Sequence, residues 1–352
     1  MKRLLITGGC GFIGSHTSYV LLNAGYKLTI VDSFINSSRE SILKLKNLSN
    51  EVRSLIESNL DIFHGDIRDF SLLNNIFKES KLKGEPIEGV IHFAGLKSVP
   101  DSFSNPLEYW DVNLGGTLTL IKVMGIYNCK TIVFSSSATI YGNTNSQLLN
   151  ESSNINPTSP YGLTKAAVEN ILISIAKEPT SKWRIANLRY FNPIGAHPSG
   201  LIGEDPINYG GNLFPKLAEV AQGKCDHLII FGNDWPTKDG TGIRDYIHVL
   251  DLADGHKAAL EYLINSSPHS INFNLGTGIG TSVLDLINTF EKVNKISIPF
   301  VFSSRREGDI PISIADNSLA LKKLNWVPRR NLEDMCKDFW RWKIENPEGY
   351  RN

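Results

Sequence analysis

The beginning of the chain constrains it most. Leu4–Thr7 is an apolar run of strand character that breaks into TGGCGFIG. The sequence then reads as a helix and re-emerges as KLTIVD, ending on Asp32. Glycine weakens helices and strands alike, so Gly8, Gly9, Gly11 and Gly14 at one corner need another reason. Gly9, Gly11 and Gly14 fit G-x-G-x-x-G, in which the glycines allow a tight turn, close approach of a pyrophosphate, and close helix–strand packing. The helix opening at Phe12 aims its unpaired N–H groups and positive dipole end at the same phosphates. About twenty residues on, Asp32 is placed to accept a hydrogen bond from an adenosine ribose 2′-OH. This context separates a dinucleotide site from an ordinary glycine turn. A carboxylate there also repels a 2′-phosphate, and SFINSS offers no arginine before Arg39, so the expected cofactor is NAD rather than NADP.

The rest of the chain narrows the class. Its 352 residues suffice for one large or two intimately joined domains. Lys plus Arg and Asp plus Glu are both 36, giving a formal charge of zero. A nucleic-acid or anionic-membrane partner is therefore not expected. Apolar runs are of strand length and the first strand begins almost at once, which argues against a signal peptide or membrane span. Cys10, Cys129, Cys225 and Cys336 lie far apart without a C-x-x-C pair. That pattern fits reduced thiols in the cytoplasm, with no disulfide frame and no metal site.

RLLIT, KLTIV, GVIHFAG and TIVFSSS alternate with helical patterns, which argues for an α/β fold, a Rossmann-like doubly wound parallel sheet. A helix is expected near Arg39–Leu48. After about residue 190 the texture turns Gly/Pro/Asn-rich. Residues 1–190 are thus expected to form the dinucleotide domain, with segments around 244–265 and 271–290 returning to it. The remainder of 191–352 would form a smaller mixed α/β substrate-binding domain.

Ligands of such sheets bind beyond the carboxyl ends of the strands. There lie Ser135, Ser136 and Ser137, followed by SPYGLTKAAVEN. Ser159 can cap that helix and Pro160 suits its first turn. Tyr161 and Lys165, four apart, share a face. A tyrosine serving as base at neutral pH needs its pKa lowered by about three units, roughly 4 kcal/mol. A lysine ammonium at about 5 Å supplies roughly 3 kcal/mol at an effective dielectric near 20. A positive nicotinamide would add to this and desolvation would oppose it.

TGGCGFIG, HFAGLKSV, FSSSATIYG, SPYGLTK and LRYFNPIGAHPSG together resemble the extended short-chain dehydrogenase/reductase superfamily. Within it, the chain resembles the UDP-glucose 4-epimerase family nearly end to end, through IFGNDWPTKDGTGIRDYIHVLDLADGH, NLGTGIGTSVLDLI and RREGDIP. The resemblance implies NAD-dependent interconversion of UDP-galactose and UDP-glucose. It places Gly8, Gly11, Phe12, Ile13 and Gly14 on the pyrophosphate, and Asp32, Asn36 and Ser37 on the adenosine half, with Asp66 and Ile67 flanking the adenine. Phe93, Ala94, Gly95 and Lys97 pass along the cofactor, Lys97 also reaching the substrate. Ser135, Tyr190 and Phe191 border the nicotinamide. Ser137 and Tyr161 bind the sugar 4-OH, and Lys165 holds the nicotinamide ribose and tunes Tyr161. Asn192, Asn212, Leu213, Ile229, Phe231, Arg244, Arg306 and Asp309 form the UDP pocket, and Ser313 faces the sugar C2 substituent, where some relatives carry tyrosine. One departure is Val112, where some relatives carry a cofactor-contacting Asn; Asn113 keeps the more typical one. A homodimer through the Tyr161 helix and the 106–127 helix is implied. His92, His248 and His16 read as packed histidines rather than bases. The rival 4,6-dehydratases typically carry Asp-Glu just after the position of Ser137, where this chain has Ala138 and Thr139. A non-catalytic NAD-sensing regulator on the same fold would need no Tyr/Lys pair.

Overall fold

The computed structural model describes residues 2–143, 148–206, 213–306 and 309–350. Its centre is a seven-stranded sheet in which every neighbouring pair is parallel. Across the sheet the strands run His269–Leu275, Arg184–Tyr190, Thr131–Ser137, Ile87–His92, Arg3–Thr7, Lys27–Asp32 and Leu60–His64. Two apolar cores cover its faces, one around Leu4, Ile6, Ile91 and Leu260, the other around Leu5, Val90, Ile132 and Leu172. Burial on both faces explains why these strands read as continuous apolar runs. From Arg3–Thr7 the chain first winds outward through Lys27–Asp32 and Leu60–His64, then crosses back to Ile87–His92. The strand order therefore reverses between Arg3–Thr7 and Ile87–His92, and such a reversal opens a crevice at the carboxyl ends.

The helix Val249–Ile264 packs against the first helix, Phe12–Asn23, and His269–Leu275 forms the far edge of the large sheet. The next helix, Val283–Asn294, packs instead on Leu332–Glu345 in a separate core with Phe214, Leu217 and Phe339. Around that core lie a small mixed sheet containing Ile243–His248 and Ile312–Ala315, and a parallel pair, Leu228–Phe231 with Phe300–Ser303. The stretch expected as one helix near 39–48 is a short helix, Glu40–Leu43, running into a 3₁₀ turn, Lys44–Asn47. A separate helix follows at Asn50–Asn59, capped by Ser49. Among the described residues no helix is long and apolar enough to cross a membrane.

Candidate active site

A continuous cleft of about 1260 Å³ runs from the glycine loop, past the serine strand Thr131–Ser137, to the walls carrying Arg244 and Arg306. At the glycine loop two positions are explained by packing inside the chain. Gly8 has φ +68°, and a Cβ on it would stand 2.7 Å from the Ala94 nitrogen; a Cβ on Gly14 would lie 2.3 Å from the Gly8 carbonyl oxygen. Gly11 meets nothing closer than 3.4 Å, so no internal contact demands it. It caps the helix Phe12–Asn23 without a side-chain hydrogen bond, leaving the first N–H groups facing the cleft. Asp32, buried at the end of its strand, accepts from the Cys10 amide (2.9 Å), the Phe34 amide (3.0 Å) and the Ser37 hydroxyl (2.6 Å). A carboxylate offers about four acceptor sites, so one remains. An uncapped helix start, a glycine that only a ligand requires and one open carboxylate position fit the pyrophosphate and ribose of NAD.

Gly8, Gly11, Phe12, Ile13, Gly14, Asn36, Ser37, Ile67, Phe93, Ala94, Gly95, Ser135, Tyr190 and Phe191 all line this cleft. Asp66 lines it too, gripped by Arg68, whose pairing holds the carboxyl below its ordinary range. Asn113 does not reach the wall. Its side chain accepts from Leu96 N (2.7 Å) and donates to Leu96 O and the Thr164 hydroxyl (both 3.1 Å), while neighbouring Val112 faces the cleft. Asn113 is the buried residue of a π-helical turn, Trp110–Gly115, which interrupts the helix expected over 106–127. Lys97 lines the cleft with its ammonium on the buried carboxylate of Glu204, 3.2 Å away.

Ser159 caps the helix Pro160–Lys177 by accepting from the Gly162 amide, 3.1 Å away, with Pro160 in the first turn. That start directs Tyr161 and Lys165 at the serine strand. The Lys165 ammonium donates to the Ser135 carbonyl (2.8 Å) and lies 5.7 Å from the Tyr161 ring centroid. The Ser137 hydroxyl favours the ionised form of the Tyr161 phenol, and its own oxygen accepts from the Thr139 hydroxyl at 3.0 Å. Burial lowers the Lys165 pKa to about 8. Burial likewise pushes the Tyr161 phenol up to about 12, against the neighbouring Ser137 hydroxyl. The expected lowering of Tyr161 is thus not set by burial and Ser137 alone, where desolvation decides the direction.

At the other end, strand alternation leaves Ile229 and Phe231 exposed along the cleft while Leu228 and Ile230, which also border it, are buried in the core. Asn192, Leu213, Arg244, Arg306, Asp309 and Ser313 line the same walls. Arg306 pairs with Asp309 (3.0 Å) and lies 4.8 Å from the Phe231 ring centroid. Burial, with the like charge of Arg306, pulls the Arg244 guanidinium below its ordinary value. Ser313 sits directly across from Arg244 on the neighbouring strand. Asn212 lies outside the described residues.

The three histidines are internal. His92 is sandwiched between the Thr7 (2.6 Å) and Thr117 (2.9 Å) hydroxyls, His248 caps a helix, and His16 bonds the Phe12 carbonyl (2.7 Å). Sequence reasoning missed Tyr246, Thr139, Arg68 and Trp235 on the cleft wall. Tyr246, Thr139 and Arg68 each stand two residues beyond a named residue, Arg244, Ser137 and Asp66, a spacing that could have found them; Trp235 carries no such local sign. Among the described residues no cluster of three His, Cys, Asp or Glu is placed to hold a metal ion.

A family model described as GDP-mannose 4,6 dehydratase matches residues 5–339. The chain is 47% identical to UDP-glucose 4-epimerase 2 of Arabidopsis thaliana, over 100% of this chain and 97% of that protein. It is 46% identical to UDP-glucose 4-epimerase of Bacillus subtilis (strain 168), over 99% of each. The chain belongs to the UDP-glucose 4-epimerase family. A solved epimerase of that family, from Stenotrophomonas maltophila with bound NAD and formylated UDP-arabinopyranose, superposes with a TM-score of 0.92. It shares 41% identity and covers 99% of each chain.

Proposed function

We propose that this chain is a UDP-glucose 4-epimerase, interconverting UDP-galactose and UDP-glucose through a 4-keto sugar with NAD held throughout. The observation that carries this reading is one cleft that joins the glycine loop, the Tyr161–Ser137–Lys165 group and two arginines. Arg244 and Arg306 hold the UDP diphosphate, since guanidinium binds phosphate oxygens in a bidentate fashion. Tyr161, with Ser137 in the relay, takes the sugar 4-OH proton and later returns it. NAD, when bound, supplies reversible hydride acceptance at C4. Gly11, the first-helix amides and Asp32 hold its adenosine diphosphate half, and Lys165 its nicotinamide ribose. Bringing Tyr161 from about 12 to neutral pH requires about 7 kcal/mol at 1.36 kcal/mol per unit. Lys165 at 5.7 Å contributes roughly 3 kcal/mol at an effective dielectric near 20. The rest falls to the positive nicotinamide, so Tyr161 is a competent base only in the loaded site.

The 4,6-dehydratase reading lacks its acid/base pair, because Thr139, which stands there, serves Ser137 instead. Residues 1–190 with the helix Val249–Ile264 and strand His269–Leu275 form the cofactor domain in this reading. Exposed Phe103, Leu107, Ile126 and Leu163 supply the apolar face for a homodimer, and four free cysteines suit the cytoplasm. The test is to incubate purified protein with UDP-galactose, adding no NAD. UDP-glucose should form, and NAD(H) should leave the protein only on denaturation. A cofactor-free preparation that consumes NAD⁺ stoichiometrically and accumulates NADH would make the chain a dehydrogenase.

A further inference from the structure

Three serines end the strand Thr131–Ser137, yet only two meet the cleft. Ser135 and Ser137 line it, and Ser136 between them points the other way, as strand alternation demands. The Ser136 hydroxyl donates to the Glu169 carboxylate. Glu169 follows Lys165 by four residues and Tyr161 by eight, so the three share one side of their helix. Its carboxylate is fully buried and accepts from Arg189 Nε (3.0 Å) and Nη2 (2.7 Å). Arg189 is itself buried, and stands directly across from Ser136 in the sheet. Its Nη1 donates to the Tyr141 hydroxyl and the Glu151 carbonyl, both at 3.0 Å. Tyr141 ends the turn Ala138–Tyr141 that follows Ser137. One buried ion pair therefore grips the serine strand, the Tyr161 helix, the neighbouring strand and the turn after Ser137.

As a stabilising device such a pair is poor, because well-packed apolar side chains of similar volume often do as well or better. We propose that Glu169 and Arg189 are positioning residues: through Ser136 and Tyr141 they hold Ser137 in register with Tyr161 and Lys165. The inference rests on the proposed roles of Tyr161, Ser137 and Lys165. Neither residue of the pair lines the cleft. The titratable groups around Lys165 are Tyr161 and Glu169 on its own helix and His92 on Ile87–His92, with Arg189 bonded to Glu169 and Tyr190 by Ser135 and Tyr161 beyond them. His92 is held neutral by burial, its pKa lowered to about 3. Glu169 acts against the burial that lowers Lys165. Removing that carboxylate lets the ammonium lose its proton at lower pH, so activity that needs the ammonium is lost at lower pH as well.

Three variants test this. Ser136→Ala removes the strap and little else; kcat for UDP-galactose should fall about tenfold at unchanged KM. The double variant Glu169→Met/Arg189→Met removes one charge of each sign and avoids stranding one, so its kcat should fall about tenfold with the basic limb of its kcat–pH profile close to wild type. Glu169→Gln removes the carboxylate alone, and there the basic limb should move down by about one pH unit. Wild-type kcat in Ser136→Ala or in the double variant, or an unmoved limb in Glu169→Gln, overturns the inference. A double variant that cannot fold also counts against it, since the pair would then be structural. Tyr161→Phe measured alongside separates the failures. If that variant is fully active, the catalytic reading falls and this inference with it. If it is inactive while the other variants match wild type, only the inference falls.

Discussion

At the glycine-loop end of the cleft the functional side chains are tied down by the protein itself, whereas at the Arg244 end, Arg244 on the Ile243 carbonyl apart, the charged groups lie largely among one another. Asp32 has three internal donors, and the Lys165 ammonium is docked on the Ser135 carbonyl. On the other walls Arg306 holds Asp309, and just beyond them Arg305 holds Asp234 and stacks on Trp235. Those pairs are half exposed, and exposed ion pairs hold by only about 0–1 kcal/mol. They can change partners when a diphosphate arrives. A prearranged site binds without the cost of ordering its groups, which suits a cofactor that stays. Easily exchanged pairs suit a substrate that must leave each turnover.

The contrast breaks most visibly at the chemistry. Tyr161→Phe should cut turnover by about 10² or more, the scale of general-base catalysis, with folding and UDP-sugar affinity close to wild type. Near-normal turnover would remove Tyr161 as the base. Arg244→Gln should behave in the opposite sense. Losing one charge-assisted contact of about 1.5–3 kcal/mol should raise KM for UDP-galactose tenfold or more, while bound NAD is retained. Loss of NAD from that variant would mean that the two ends are not independent.

A smaller effect should come from acid. His16, His92 and His256 are buried with pKa values lowered to about 3, and His197 to about 4, all chiefly by desolvation. The unfolded chain takes up those protons from about pH 6.5 downward and the folded protein does not. Stability should therefore fall as pH drops below about 6.5. His92, at the end of its strand, and His256, bonded to Tyr190, place the loss at the cofactor end. A thermal midpoint that stays flat from pH 6.5 to 5 would show that these histidines titrate alike in both states.

How much was legible follows the same division. Gly11, Asp32, Tyr161 and Lys165 announce themselves because their chemistry depends on spacing along one turn, strand or helix. The edge strand Leu60–His64 escaped notice because it mixes half-buried with exposed polar residues instead of forming a buried apolar run. The helix Asn50–Asn59 escaped too, although Ser49 accepts from the Val52 amide as an ordinary helix start. No periodicity reveals the π-turn in which Asn113 is buried. Pairs such as Lys97 with Glu204, Arg68 with Asp111 and Glu169 with Arg189 join residues distant in sequence, so only the packed fold could show them.

The smallest expected effect concerns which sugars the substrate end admits. Ser313 is buried on Ile312–Ala315, across from Arg244, and lines the cleft together with Tyr246 and Ile310. Neighbouring Ile312 is not part of the wall, as alternation along the strand requires, so it does not refill the space that serine leaves. A tyrosine ring at this position leaves room for a hydroxyl at the sugar C2 but crowds an N-acetyl group. With serine the wall recedes by most of a side chain, so UDP-N-acetylgalactosamine and UDP-N-acetylglucosamine should also be substrates. Pocket volume discriminates weakly, about 1–3 kcal/mol for a group of this kind. Ser313→Tyr should therefore lower kcat/KM for UDP-N-acetylgalactosamine by about tenfold or more, with UDP-galactose little affected. If wild type rejects the acetylated sugar as strongly as the tyrosine variant does, the limit lies elsewhere on the wall and Ser313 does not set it.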